Sequence, residues 1–143
     1  MPNHEGGCSC AAIRYRITDL PAYSVVCHCA SCRRASGAMA VAWITVARSE
    51  FRFMSGFPQP YQSSPGVVRR FCGTCGSPLT YENARSPESI DVTTATLDHP
   101  EDFPPRQAVW FEHKIAWQPV DPALEHFPRG MTSDGMTTGG IER

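Results

Sequence analysis

Seven cysteines fall into three clusters, Cys8-Ser9-Cys10, Cys27-His28-Cys29-Ala30-Ser31-Cys32 and Cys72-Gly73-Thr74-Cys75. Thiolates at such short spacings are metal-ligand sets, and zinc is the ion that sulfur-rich tetrahedral sites favour. Cysteines two apart on an extended segment point to the same face, so Cys8 with Cys10, and Cys27 with Cys29, each form half a site. In Cys72-Gly73-Thr74-Cys75-Gly76 a tight turn brings the two thiols together, and its glycines permit positive backbone angles. Cys32 can curl back onto Cys27 and Cys29.

One partition uses every cysteine. Cys8, Cys10, Cys72 and Cys75 close a four-thiolate site, and Cys27, Cys29 and Cys32 leave a three-thiolate site with one position open. A zinc with four protein ligands is usually structural, whereas one with three keeps room for water or substrate. A second partition stays open on spacing alone: Cys72 and Cys75 with two of the central trio, leaving Cys8 and Cys10 as an unoccupied or redox pair. A disulfide framework fits poorly, because seven is odd, no signal peptide precedes the first cluster, and a Cys-x-Cys bridge closes a strained ring.

Around the open site the candidate substrate contacts are Arg33 and Arg34, directly after Cys32, and Ser36, all candidates to meet carboxylates. Arg69-Arg70 precede Cys72, and arginine beside thiolates can offset their charge or grip a carboxylate with two hydrogen bonds. His28 lies between two ligands, so strand alternation turns it away from the ion they would hold. Trp43, Trp110 and Trp117 read as core aromatics, one of which could wall a pocket, and His99, His113 and His126 have no metal spacing.

Short strands are expected to position these groups. Ile13, Tyr15 and Ile17 alternate with polar neighbours, Met39 to Val46 is an apolar run, and Val67 to Phe71 and Ile90 to Thr94 are rich in β-branched and aromatic residues. Thirteen prolines and eleven glycines punctuate them. The pattern predicts an all-β sandwich or partly open barrel, with one turn of helix over Ala30 to Ala35 ended by Gly37.

A chain of 143 residues, 41% of them hydrophobic, can bury one ordinary core. The expected organisation is one domain over 1–128 and a flexible or partner-ordered tail over 129–143, where four glycines replace large apolar residues. No apolar run reaches membrane-spanning length and no targeting peptide is evident, so a soluble, cytoplasmic protein is expected. The formal net charge is −1, and seven thiolates set against two divalent ions take it to about −4. That excludes the electrostatic footprint of a nucleic-acid binder. A homo-oligomer stays open.

Three stretches carry a family resemblance: Gly7-Cys8-Ser9-Cys10-Ala11-Ala12-Ile13-Arg14-Tyr15, Cys27-His28-Cys29-Ala30-Ser31-Cys32-Arg33, and Phe71-Cys72-Gly73-Thr74-Cys75-Gly76-Ser77-Pro78-Leu79. Together they resemble the glutathione-dependent formaldehyde-activating family, also called the centromere-protein-V family, over roughly residues 4 to 120. Ala11 departs from the glycine that family often carries there.

The resemblance implies an Mss4-like β fold with two zinc ions. Its structural ligands would be Cys8, Cys10, Cys72 and Cys75, and its catalytic ligands Cys27, Cys29 and Cys32. It also implies carbon–sulfur lyase chemistry on glutathione and formaldehyde, or on a related small thiol adduct. Two other classes remain beside the enzyme. One is a zinc-stabilised binding module without catalysis, and the other is a redox or metal-buffering protein whose thiolates oxidise or release zinc.

Overall fold

The alternation at Ile13, Tyr15 and Ile17 does make a strand, and the same logic runs through the computed structural model, which describes residues 3–131. In chain order the strands are β1 (His4–Gly7), β2 (Arg14–Ile17), β3 (Tyr23–Cys27), β4 (Val41–Ala47), β5 (Phe51–Ser55), β6 (Gln59–Ser64), β7 (Val67–Phe71), β8 (Pro78–Asn83), β9 (Ser89–Thr93), β10 (Gln107–Val109) and β11 (Glu125–His126). Among the described residues one α-helix, α1 (Ala30–Ser36), sits between β3 and β4, and four short 3-10 turns complete the regular structure. The all-β expectation holds.

Two sheets form. Strands β1, β2 and β5 make a small antiparallel sheet, and the other eight run in the order β11-β10-β3-β4-β9-β8-β7-β6. Within the large sheet β10 lies parallel to β3 and β11, and the remaining pairs are antiparallel.

Because side chains alternate across a strand, β4 serves both faces of the large sheet. Ile44 and Val46 turn toward the small sheet and pack with Tyr15, Ile17, Phe51, Leu79, Ile90 and Val92. Each such buried side chain contributes about 2 kcal/mol of burial free energy. Tyr15 is fully buried and its hydroxyl shares a 2.8 Å hydrogen bond with Thr96 Oγ1. The ring crosses over Gly6, where a Cβ would stand 2.5 Å from both the Tyr15 hydroxyl and the Thr96 carbonyl oxygen, so only glycine fits there.

Val41 and Trp43 turn the other way, into a second cluster with Val25, Val67, Tyr81, Val109 and Trp110. Met131 belongs to this cluster, and the Arg129 carbonyl accepts from the Trp110 N–H at 3.0 Å, so ordered packing continues past residue 128. The rest of the expected tail, 132–143, lies outside the described residues. Trp117 is 68% exposed, which corrects the reading of all three tryptophans as core. Among the described residues no helix is long and apolar enough to cross a membrane.

Candidate metal centres and the adjoining cleft

The seven sulfurs gather into two groups, Cys8 with Cys10, Cys72 and Cys75, and Cys27 with Cys29 and Cys32, each within 4.8 Å of its fellows. All seven thiols are free. In the first group Cys8 Sγ lies 3.7 Å from Cys10 Sγ, and Cys10 Sγ lies 3.8 Å from Cys72 Sγ. A tetrahedral ion with bonds of about 2.3 Å to sulfur sets its ligands about 3.8 Å apart, so this donor set fits zinc. The second partition considered above is not the one the fold makes.

The four-sulfur group is assembled by tertiary structure. Cys8 and Cys10 follow β1 in the small sheet, while Cys72 and Cys75 form the turn between β7 and β8 in the large one. An ion held by these four sulfurs would tie the two sheets together at one end. Local backbone prepares the sulfurs: Cys72 Sγ accepts from the N–H groups of Thr74 and Cys75 at 3.4 Å each. The Cys75 amide, then burial against it and the Thr74 amide with it, leave the Cys72 thiol below its ordinary range. The Ser77 hydroxyl, 3.2 Å from Cys75 Sγ, and the Ser77 backbone bring the Cys75 thiol down to about 5. Gly76 closes the turn at φ 84°, its N–H donating to the Cys72 carbonyl. Ala11 sits at φ 66° in the turn after Cys10, where a side chain is strained.

The trio is built locally, on the opposite face of the large sheet. Cys27 ends β3, Cys29 caps α1, and Cys32 lies in its first turn. Cys29 Sγ accepts from the Cys32 N–H at 3.2 Å, the bond that a serine or aspartate would usually accept at a helix N-cap. Gly37 ends the helix at φ 71° with its N–H on the Arg33 carbonyl, as the sequence predicts. All three sulfurs are buried. Among the described residues no histidine, aspartate or glutamate adds a fourth ligand atom to the group. His28 is buried, edge-on to Phe111, and outside the ligand set.

Three close thiols share charge unequally. Hydrogen bonds from Cys27 and then Cys29, together with the Arg69 guanidinium, hold Cys32 well below the usual thiol range. Hydrogen bonding to Cys29 and Cys32, with burial added, pushes Cys27 well above it. Arg69 reaches Cys32 from β7, its Nη2 donating to Sγ at 3.7 Å while its guanidinium lies 5.0 Å over the Tyr81 ring. Cross-strand register puts Arg69 there: it stands opposite Tyr81, which stands opposite Asp91, which stands opposite Thr45, all on the trio's face of the sheet.

Beside Cys32 opens a cleft of ≈ 430 Å³, bounded by α1 at Ala35 and Ser36, by Trp43, by residues of β6 and β7, and by Gly76 of the turn that carries Cys72 and Cys75. Of the three substrate contacts expected from the sequence, Ser36 lines this cleft and Arg33 and Arg34 do not. The Ser36 hydroxyl donates to the Cys32 carbonyl at 2.8 Å. Arg34 is exposed, and Arg33 is half-buried with its Nε unpartnered. Arg69 lines the cleft and meets Cys32 Sγ. Its position before Cys72 signalled interest, but only strand pairing brings it to Cys32.

Residues 3–113 match the family described as "Glutathione-dependent formaldehyde-activating enzyme". A Halomonas elongata protein named "Putative glutathione-dependent formaldehyde-activating enzyme" is 28% identical over an alignment of 127 residues, covering 82% of this chain and 80% of that protein. An uncharacterized lyase of Schizosaccharomyces pombe is 32% identical over 95 residues, covering 64% of this chain and 68% of the relative. In fold, the chain is similar to a Rhodobacter sphaeroides protein of known crystal structure, with a TM-score of 0.58 and 24% identity over 86% of this chain and 98% of that one.

Proposed function

Because the chain belongs to the glutathione-dependent formaldehyde-activating enzyme family, we propose that it is a zinc-dependent carbon–sulfur lyase joining a small thiol such as glutathione to formaldehyde. In this reading Cys8, Cys10, Cys72 and Cys75 hold a structural zinc, and Cys27, Cys29 and Cys32 hold the catalytic one. The observation that carries it is the trio: three buried sulfurs without a fourth ligand among the described residues, one of which, Cys32, lines a cleft.

Cys27, Cys29 and Cys32 would hold the zinc, which would supply an open coordination position and favour the thiolate form of a thiol near neutral pH. The chain's own residues do the rest. Arg69 places a positive charge against Cys32 and offsets part of the charge of three thiolates. The Cys32 amide steadies Cys29, and burial keeps water from the sulfurs on the protein side. The cleft holds the aldehyde against the thiol, so that positioning supplies much of the rate. In the net reaction an S–H bond is lost and an S–C bond forms. The thiol proton ends on the former carbonyl oxygen.

The test is metal content per chain in freshly reduced protein, with adduct formation from glutathione and formaldehyde followed in the same sample. Two zincs and acceleration over the uncatalysed rate are expected. Cys27→Ser should retain one zinc and the fold while losing acceleration. A Cys27→Ser protein that still accelerates the reaction would sink the assignment.

A further inference from the structure

The cleft beside Cys32 is larger and more apolar than formaldehyde requires. Its volume is ≈ 430 Å³, and its walls are Val41, Trp43, Pro60, Tyr61, Phe71 and Pro78. Formaldehyde is only slightly bulkier than water, whose share of liquid volume is about 30 Å³.

The polar groups along the cleft are few and mostly engaged. Ser36 and Thr93 hydroxyls donate to the backbone carbonyls of Cys32 and Pro78, and Arg70 is paired with Glu82. Thr80 keeps a buried hydroxyl without a partner. Arg69 is the one lining cation without a carboxylate partner among the described residues, and it already faces Cys32. Among the described residues no carboxylate lines the cleft. Glutathione carries two carboxylates and an ammonium, and burying these here would leave charges unmatched. Its ends therefore belong in solvent, and the cleft is left for something else.

We propose that the cleft takes the apolar arm of the site's substrate, an aromatic or branched aliphatic group carried on the aldehyde carbon. This rests on the lyase reading above and names its substrate class. The thiol sulfur forms the new S–C bond with its own electron pair, the C=O π pair moves onto the oxygen, and the thiol proton passes from sulfur to that oxygen. Nothing is oxidised or reduced. Trp43 and Tyr61 flank the arm, and discrimination arises from apolar contact, for which each methylene-sized change in fit is worth roughly tenfold or more.

The experiment uses the zinc-loaded full chain. Acceleration over each uncatalysed rate is measured with glutathione and either phenylacetaldehyde or formaldehyde, and benzyl alcohol is titrated separately while backbone amide resonances are followed. Phenylacetaldehyde should be accelerated at least tenfold more than formaldehyde, and benzyl alcohol should perturb amides of β4, β6 and β7 around the cleft. Tyr61 is 60% exposed on the edge strand, so Tyr61→Ser keeps the fold; it should lower the phenylacetaldehyde-to-formaldehyde ratio about tenfold, chiefly through KM. Phe57→Ser, at a 95% exposed position outside the cleft, should leave the ratio unchanged. Equal acceleration of the two aldehydes, or benzyl alcohol that leaves the cleft amides unmoved, overturns the proposal. Cleft binding with neither aldehyde accelerated overturns the lyase reading instead and supports the apolar ligand class.

Discussion

Replacing Asp91 with asparagine removes a titrating group from the middle of the large sheet and preserves its hydrogen bond. Thr45 Oγ1 donates to Asp91 Oδ1 at 2.6 Å, a bond that an asparagine oxygen accepts equally well. Burial pushes the Asp91 carboxyl up to about 7; the Thr45 bond opposes this, the Cys32 charge adds to it, and Arg69 opposes it again. In the unfolded chain the same carboxyl ionises near 4 (about 3.9). Between these values the native protein holds a proton that the unfolded chain has released. The protonated form thus contributes stability that is complete below about pH 4 and declines as pH rises through 7. A separation of about three pKa units, at about 1.4 kcal/mol each, sets an upper bound of roughly 4 kcal/mol. Urea unfolding of zinc-loaded wild type and Asp91→Asn from pH 5 to 8 measures the effect, and protonation of the zinc ligands cancels in the difference. The variant should gain on the wild type as pH rises, by roughly 2–4 kcal/mol at pH 8. Parallel curves would refute the reasoning, because they would mean that Asp91 is already ionised near pH 4 in the fold.

Two further substitutions address the cysteine framework. Ala11→Gly relieves a left-handed alanine at φ 66°, which costs about 1–2 kcal/mol, against about 0.5–1 kcal/mol of added glycine entropy. A net gain of roughly 0.5–1 kcal/mol in urea unfolding is expected, with metal content unchanged. Cys8→Ser removes a sulfur that accepts from the Ile13 N–H at 3.3 Å and belongs to the group joining the two sheets. Metal per chain should fall from two to one, and the thermal midpoint should fall by roughly 10 °C; a variant that retains both would separate this group from stability.

Much of the candidate site was legible because it is local. Cys27, Cys29 and Cys32 span six residues, so a strand end and one helical turn bring their sulfurs together without help from elsewhere. The helix between Cys29 and Gly37 was readable for the same reason, from its glycine stop. The Cys72–Cys75 turn is equally self-contained, closed by its own amide-to-sulfur bonds and by Gly76. Strand periodicity likewise marked Tyr15 and Ile17 as core and gave β7 and β9 to within a residue.

Other features depended on which strands become neighbours, and a linear pattern carries no such information. Cys10 and Cys72 are 62 residues apart, and they meet because the end of the small sheet docks on the β7–β8 turn. Arg33 and Arg34 adjoin Cys32 in sequence, yet neither lines the cleft, because the helical path carries their side chains away from it. Arg69, 37 residues distant, reaches the sulfur because its register opposite Tyr81 places it on the trio's face. Trp43 and Trp117 look alike as isolated aromatics, but one lies in a central strand and the other in an exposed loop. The sequence by itself determined which atoms could bind metal, since ligand chemistry and short-range backbone geometry reside in a few consecutive residues. The tertiary structure decided which half-sites join, which arginine attends the trio and which residues line the cleft beside it, because each is set by strand register and sheet packing between distant segments.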